Sequence, residues 1–528
     1  MILTRGIPHK HLVALFIFLV VTVLYLFTLA PSITERHIGA DGAELAASAY
    51  TLGVAHPTGY PTYLILAKIF SLVIPWGDIA HRVNILSAIS GAGAVTLVYL
   101  TCHMFIERTF RASEIISSRA SASAIIAAAA LAFSPILWSQ SIKAEVYSLN
   151  ALFTGGVIFL TLLWSEKPGA GFRPLFAATL LLGLGLGNHL TLVFTGLPLA
   201  YVMATHRREF TPRAIATLLG AFLLGLSVYA YLPIRASENP PINWGDASTL
   251  EGFLWTVTAV PYRGLAFGLP LAHMPARLLE WADILAQQFN ALGLLLGIIG
   301  VWRLRISRLP LLVFCALLFL PSIVFSFMYL SGGASVYMIP AFMVLALWIG
   351  VGFYWISDIT IITLAPRLKS LFPLPQTLFL VALLMVPGLS FSLNYEGINL
   401  REDNESLAYV QGLFKVMEPN SVILADTDYE LFPLWYYSLV EERDKGTTVI
   451  STRLTQFDWY VRGQSERYPD IVPTELTTDY TNRLIQIVEF NIGKRPVYIT
   501  SAADFLLAHF YGSPEGDIYR LLSRKKPQ

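Results

Sequence analysis

The sequence is poor in charged residues and in cysteine, and both shortages narrow the class of protein. Only 13% of its 528 residues are charged and 55% are hydrophobic, whereas a soluble globular domain carries about 25% charged residues. The net charge of +1 provides no basic surface for nucleic acid. Both cysteines, Cys102 and Cys315, lie in apolar runs, so we expect neither a disulfide bond nor a metal site from them. This composition predicts an integral membrane protein.

Long apolar runs account for the excess of hydrophobic residues. A transmembrane helix needs about 20 mostly apolar residues, and the sequence predicts an α-helical polytopic membrane protein with about eleven spans. The first run, 11–30, is interpreted as a retained anchor helix rather than a signal peptide. The segment 62–74 is shorter and contains Lys68, so it is predicted to be an interfacial or re-entrant helix. The other runs cover 83–105, 121–137, 150–164, 175–188, 190–204, 214–232, 284–302, 309–330, 337–356 and 377–394.

The distribution of Lys and Arg predicts the orientation in the membrane. With the N-terminus inside, the short inner segments carry most of the basic residues, for example Arg5, Arg108 and Arg207. The two long outer loops, 31–82 and 233–283, contain only three Lys or Arg each. The C-terminal region then lies outside. Because its end carries no retrieval signal, we expect a bacterial plasma membrane.

The region 395–528 differs in character from the transmembrane domain, 1–394. It contains the charged run 401–405 and no apolar run long enough to span a membrane. Short β-rich runs alternate with helical stretches, which predicts a soluble α/β domain on the outer side. The β-rich runs are 422–424, 448–450 and 496–500, and the helical stretches are 406–417 and 428–440.

The first outer loop holds the polar residues with the strongest claim to a function. Asp41 and Glu44 match a capping box at the start of a helix over 42–52 that ends at Gly53. The same two carboxylates also suit a catalytic site at the membrane surface, and the spacing leaves both interpretations open. His56, between an alanine and a proline, is either a turn residue or a site residue.

Several motifs resemble one family. The runs Asp41-Gly42-Ala43-Glu44-Leu45, His56-Pro57-Thr58-Gly59-Tyr60-Pro61 and Arg82-Val83-Asn84 are similar to the first outer loop of GT-C integral membrane glycosyltransferases. Within that class, they most resemble the multispan family that includes an animal endoplasmic-reticulum protein O-mannosyltransferase acting on plexin-type receptors, with many bacterial members. The second run is the most specific, although the family usually has proline where Thr58 stands. The resemblance continues at 143–150, 185–191, 231–235, 241–246, 432–437 and 458–460.

The resemblance implies the GT-C fold and a reaction. A sugar, mannose in the animal relative, would pass from a polyprenyl- or dolichyl-phosphate carrier to a hydroxyl group of a protein, lipid or glycan acceptor. By position, Asp41 is the matching acidic residue and the expected general base, with Glu44 next. The leaving phosphate needs positively charged or hydrogen-bonding donors. The candidates for phosphate binding are Arg235, Lys143, His189 and Arg82, and those for other substrate contacts are His56, Tyr60, Glu145, Asn243 and Trp244.

Several of these candidates also have a structural interpretation. Arg235 and Trp244 suit ordinary interfacial positions, and Lys143 can form an ion pair with Glu145. His189 can satisfy carbonyl groups of its loop. We expect no metal, although Asp41 and Glu44 could hold a divalent cation with help from Asp78 or a substrate phosphate.

Two other functions remain open at this level. A transporter would show internal repeats and broken helices at the middle of the membrane, but no repeat is evident and the carboxylates cluster in the outer loops. A nonenzymatic scaffold would use the tail 395–528 to present a surface to a partner. The loop carboxylates favour a glycosyltransferase.

Overall fold

The computed structural model describes residues 9–110, 114–364, 374–443 and 445–525. Helices dominate its first 398 residues. In chain order they are α1 (His9–Phe27), α2 (Asp41–Thr51), α3 (Pro61–Val73), α4 (Ile79–Phe110), α5 (Glu114–Ala132), α6 (Pro135–Ser141), α7 (Val146–Glu166), α8 (Arg173–Leu186), α9 (Gly196–Thr205), α10 (Pro212–Leu226), α11 (Tyr231–Ala236), α12 (Leu250–Val257), α13 (Met274–Ser307), α14 (Leu309–Met328), α15 (Ile339–Leu364) and α16 (Leu374–Ile398).

Seven helical stretches in the described part of the chain are long and apolar enough to cross a membrane, or eight if the bent pair α5 and α6 is one span. This count is lower than the about eleven spans that the sequence predicts. The runs 175–188 and 190–204 form helices that are too short by this measure, because glycine and 3-10 turns interrupt the apolar sequence around Asn188. The run 377–394 lies in α16, and side chains up to position 384 fall outside the described residues.

Two short helices, α2 and α3, fold the first long loop (31–82) against the second long loop (233–283). Val54 and Asn243 form a β-bridge, in which the Val54 N–H donates to the carbonyl of Ile242 at 2.8 Å. Gly59, between the two helices, has φ of +80°, and a Cβ there would lie 2.8 Å from the Leu232 side chain. This position therefore requires glycine, which explains one residue of the motif at 56–61.

The tail domain (395–528) is an α/β domain, as the sequence predicts. Its five-stranded sheet has the order β2-β1-β3-β5-β4, in which β1 is parallel to β2 and β3 while β5 is antiparallel to β3 and β4. Its described elements are α17 (Glu405–Val416), β1 (Val422–Ala425), α18 (Asp428–Leu439), β2 (Thr448–Ser451), α19 (Asp458–Arg467), α20 (Tyr480–Asn491), β3 (Val497–Thr500), β4 (Phe510–Glu515) and β5 (Ile518–Arg524).

The tail domain is docked on both long loops. Helix α18 packs against α2, and the Ala80 N–H donates to the Tyr436 hydroxyl at 3.0 Å. On the second loop, Arg462 forms an ion pair with Asp246 at 3.1 Å. This arrangement brings the amino ends of α2 and α18 to the same place.

Candidate active site

A cavity of about 600 Å³ lies where the two long loops, the turn after α8 and the tail domain meet. Its volume is in the range of small-molecule sites. Four of the residues proposed from the sequence line it, namely Asp41, His56, Tyr60 and His189. The other polar or aromatic residues in its wall include Tyr147, Arg263, Tyr262, Tyr329, Tyr337 and Asp428.

The first turn of α2 does not form the capping box that the sequence suggested. Ala40 is the N-cap and makes no side-chain hydrogen bond, and Asp41 is the first residue of the helix. Glu44 turns instead toward the following loop, where its carboxylate accepts a hydrogen bond from the His56 N–H at 2.9 Å and another from the His56 ring. Its side chain is fully buried. Glu44 therefore orients His56, and Asp41 is left 39% exposed in the cavity wall.

His56 places a positive charge beside Asp41. Burial opposes the charged form, but the carboxylates of Glu44 and Asp41 outweigh it and raise the pKa of His56 to about 10. The protonated ring uses both nitrogens, since Nδ1–H donates to Glu44 and Nε2–H donates to the Tyr60 oxygen at 3.0 Å. The Tyr60 hydroxyl in turn donates to the Pro57 carbonyl at 3.3 Å. Nε2 of His56 is 3.7 Å from the Asp41 carboxylate, so the base candidate faces an oriented cation.

Aromatic rings connect this charged end of the cavity to an apolar end. Tyr60 stacks on His189 with 6.4 Å between ring centroids, and His189 contacts Tyr337 at 5.6 Å. Tyr337 contacts Phe325 at 5.5 Å. Around Phe325 the wall is apolar, and two of its members, Val193 and Phe267, are exposed. Exposed apolar side chains at this end suit contact with lipid.

His189 is a neutral hydrogen-bond donor in this wall. Burial, with a further contribution from the charge of His56, lowers its pKa to about 4. The Thr191 backbone N–H donates to Nδ1 of His189 at 3.3 Å. Because Nδ1 is the acceptor, the neutral ring carries its hydrogen on Nε2. The ring can therefore donate to an anion without adding net charge.

Two arginines proposed as phosphate ligands bind helix ends instead of lining the cavity. Arg235 donates from Nε to the carbonyl of Leu52 at 2.8 Å, at the end of α2. Arg82 donates to the carbonyls of Ser71, near the end of α3, and Gly77. Both positions are favourable for arginine because carbonyls at a helix end lack partners. Among the described residues of the cavity wall, the permanent positive charge belongs to Arg263, which is exposed and donates to the carbonyl and the hydroxyl of Thr258 at the end of α12.

Lys143 and Glu145 form a buried ion pair outside the cavity wall. Nζ of Lys143 is 3.0 Å from the Glu145 carboxylate, and both side chains are 1% exposed. Lys143 also donates to the Ile38 carbonyl at 3.3 Å, which ties the first long loop to the start of α7. Within the described part of the chain, Oε2 of Glu145 has no hydrogen-bond partner. The pair therefore matches the structural interpretation of this motif.

Asn243 and Trp244 lie behind His56. The ring of Trp244 contacts His56 edge-on at 6.1 Å and contacts Trp459 of the tail domain at 6.4 Å. The cleft that Asn243 and Trp244 line with the tail domain measures about 20 Å³, which is room for one water rather than a sugar. These two residues support the His56 loop in this structure.

Sequence reasoning missed Asp428 and Arg263 in the cavity wall. Asp428 begins α18, directly beyond the carboxyl end of the parallel strand β1. Ligand sites of open α/β sheets lie at such strand ends, so the position of Asp428 in the sequence could have identified it as a candidate site residue. Arg263 lies among exposed residues of the second long loop, where nothing in the sequence distinguishes it. In the described ranges, no group of three or more His, Cys, Asp or Glu is arranged to hold a metal ion.

Replacing Glu44 with glutamine tests its role as a positioning residue. Without the anion at Nδ1, the pKa of His56 falls, so the ring loses its charge at a lower pH than in the wild type. We expect activity about tenfold to a hundredfold lower, with a new decline above neutral pH that the wild type lacks. Glu44→Asp keeps the charge and is expected to restore part of the activity and the flat pH profile. If Glu44→Gln lowered activity equally at every pH, so that the pH profile kept its shape, this would contradict the role of Glu44 in keeping His56 charged.

Comparison with protein families identifies two matched regions. Residues 41–211 match the model of the N-terminal domain of the protein O-mannosyl-transferase TMEM260, and residues 406–483 match TMEM260-associated domain 2. The mouse protein O-mannosyl-transferase TMEM260 is 37% identical over 222 residues, which cover 41% of this chain and 30% of the mouse protein. The Dictyostelium discoideum protein of the same name is 24% identical over 92% of this chain and 63% of its own length. The alignments thus span less than two thirds of both relatives.

Two solved structures share the fold. ArnT from Cupriavidus metallidurans, bound to undecaprenyl phosphate, aligns over 97% of both chains with a TM-score of 0.59 and 12% identity. The oligosaccharyltransferase of Archaeoglobus fulgidus aligns over 96% of this chain and 70% of its own, with a TM-score of 0.52 and 13% identity. At such low identity the likeness concerns the fold, and it includes the tail domain because nearly the whole chain is aligned.

Proposed function

Because the chain has the GT-C fold and is related in sequence to the TMEM260 protein O-mannosyl-transferases, we propose that it is a membrane glycosyltransferase. It moves a hexose, mannose by analogy with these relatives, from a polyprenyl- or dolichyl-phosphate carrier to a hydroxyl group of a protein acceptor. The substrates are proposals, since the chain spans only part of those relatives.

The observation that carries this proposal is the polarity of the cavity. One end holds Asp41 and His56, and the other end is apolar around Phe325 with exposed members that suit lipid contact. A prenyl chain fits the apolar end, and its sugar phosphate then reaches toward the charged end. ArnT, which shares this fold, binds undecaprenyl phosphate, and this supports a prenyl phosphate as the carrier.

The chemistry follows from the charged end. Asp41 takes the proton of the acceptor hydroxyl as its oxygen attacks the anomeric carbon of the donor sugar. The bond from that carbon to the phosphate oxygen breaks, and the lipid phosphate leaves with the electron pair. Nε2–H of His189 and the guanidinium of Arg263 donate to this phosphate and stabilise its increasing negative charge. The oriented charge of His56 holds Asp41 in place at 3.7 Å.

A pair of arginine variants tests the phosphate site. Arg263→Gln is expected to raise the KM for the lipid-phosphate donor about tenfold, because a hydrogen bond to a charged group is lost. Arg235→Gln is the matched control, since this arginine is also in the second long loop but lies outside the cavity wall, where it binds the end of α2. Its donor KM is expected to stay within about twofold of the wild type. If Arg235→Gln raised the donor KM and Arg263→Gln did not, Arg235 would be the phosphate ligand.

The orientation is part of the proposal. The positive-inside rule puts the N-terminus inside, and the two long loops, the cavity and the tail domain outside. The contacts of the tail domain with both long loops support a common side for these three parts. A bacterial plasma membrane is the proposed location, and the carrier is then a polyprenyl phosphate.

Sugar release from a panel of lipid-phosphate sugars tests the function. Purified wild-type protein is incubated with polyprenyl- and dolichyl-phosphate donors that differ in the sugar, with and without a Ser/Thr-containing peptide. We expect one donor to be consumed faster when the peptide is present. Consumption of no donor by folded protein, with any acceptor tested, would contradict the proposal and favour a transporter or a scaffold.

A further inference from the structure

Asp428 brings a carboxylate of the tail domain into the same cavity as Asp41. It is the first residue of α18, which packs against α2, so the first residues of both helices line one wall. The capping box of α18 is complete without it, because Thr427 and Glu430 bond to each other's backbone groups. Asp428 is therefore not needed to cap its helix.

Asp428 is exposed in the cavity wall, beside the negative charge of Asp41. Burial, and next the charge of Asp41, raise its pKa to about 6, while His56 and Arg453 act in the opposite direction. Two carboxylates that share a cavity repel each other, and an asparagine would avoid this repulsion. A carboxylate that lines a cavity together with a second carboxylate, and whose pKa is shifted there, is a candidate for a functional role.

The negative charge of Asp428 indicates which of the two substrates binds beside it. Asp41 and Asp428 both repel an anionic lipid phosphate, whereas Arg263 and the Nε2–H of His189 attract one. We therefore expect the donor phosphate to contact Arg263 and His189 rather than the two carboxylates. The space between the two carboxylates suits a group with hydrogen-bond donors or a positive charge, which describes a protein acceptor with its hydroxyl and backbone N–H groups.

We propose that Asp428 binds the protein acceptor by accepting hydrogen bonds from the N–H or O–H groups beside the reacting hydroxyl, so that the tail domain supplies part of the acceptor site. This inference rests on the proposed function. The tail domain then contacts the acceptor directly. If the tail domain only covered the cavity, it would need no carboxylate at this position. The reacting proton still goes to Asp41.

Steady-state kinetics of Asp428→Asn test the inference. The assay uses the donor that the wild type consumes and a Ser/Thr-containing peptide, and each of the two is varied in turn. We expect the KM for the peptide to rise about tenfold or more, because hydrogen bonds to a carboxylate are lost. The KM for the donor is expected to stay within about twofold or to fall, because a charge that repels the phosphate is removed, and the slow hydrolysis of the donor without peptide is expected to stay within about twofold. Asp504→Asn, an exposed carboxylate of the same domain, is the control and should leave all three unchanged.

The outcomes separate this inference from the proposed function. A peptide KM equal to that of the wild type, in folded Asp428→Asn, overturns the inference and leaves the glycosyltransferase in place. A donor KM that rises as much as the peptide KM also overturns it. If the asparagine variant does not fold, Asp428→Ser serves instead, since serine suits the start of a helix. If the wild type consumes no donor, the proposed function and this inference fall together.

Discussion

Asp41→Asn should lower sugar transfer about 10³-fold without loss of folded protein. The loss is within the range for removal of a general base, because the asparagine amide cannot take the proton of the acceptor hydroxyl. The side chain is 39% exposed and does not cap α2, so little stability depends on it. The measurement is the initial rate of transfer from the lipid-phosphate donor, with the melting temperature in detergent as the check on folding.

The control for Asp41 is a carboxylate of the same face that lies outside the cavity wall. Glu238→Gln changes an exposed residue of the second long loop and should transfer sugar at the wild-type rate. Transfer by folded Asp41→Asn within about tenfold of the wild type would contradict the role of Asp41 as the base. Another carboxylate would then be the general base, and Glu44 is the next candidate.

Lys143→Met should destabilise the protein severely but leave the donor site intact. Both members of the Lys143–Glu145 pair are 1% exposed, so the substitution leaves a buried carboxylate without its counter-charge. Breaking a buried pair in this way costs about 3–5 kcal/mol. The measurement is the melting temperature in detergent together with the donor KM of the fraction that remains folded.

The double variant Lys143→Met, Glu145→Leu distinguishes the structural role from phosphate binding. Replacing a buried ion pair by apolar residues is often neutral, so the double variant should recover most of the lost melting temperature. Its donor KM should equal that of the wild type, since neither residue lines the cavity. If the double variant is stable but binds the donor at least about tenfold more weakly, the prediction that Lys143 binds the phosphate would be favoured instead.

The local parts of the structure could be predicted from the sequence. The alternating runs of the tail predicted β1, β2 and β3 with α17 and α18, because strand and helix periods are read within a few residues. The short helix over 62–74 was likewise predicted and corresponds to α3. The motif at 56–61 predicted a site, which stays a prediction, and two of its residues, His56 and Tyr60, line one cavity with Asp41 and His189.

The rest depended on contacts that a sequence pattern does not encode. An arginine at a membrane edge looks the same in a sequence whether or not it lines a cavity, which is why Arg235 and Arg82 could not be separated from Arg263. Asp428 shares a cavity wall with Asp41 only because the tail domain docks on α2. Fewer long helices than predicted spans are found in the described residues, because apolar content does not reveal where 3-10 turns shorten a helix, as around Asn188.

The most direct test of the proposed function is the detection of the glycosylated product. Wild-type protein is incubated with the lipid-phosphate hexose that it consumes and a Ser/Thr-containing peptide, and the peptide is analysed by mass spectrometry. We predict a peptide heavier by one hexose, attached at a hydroxyl side chain, with Asp41→Asn yielding about 10³-fold less. An unmodified peptide, while the same folded protein hydrolyses the donor, would contradict transfer to a protein acceptor, and equal product from Asp41→Asn would contradict the proposed site.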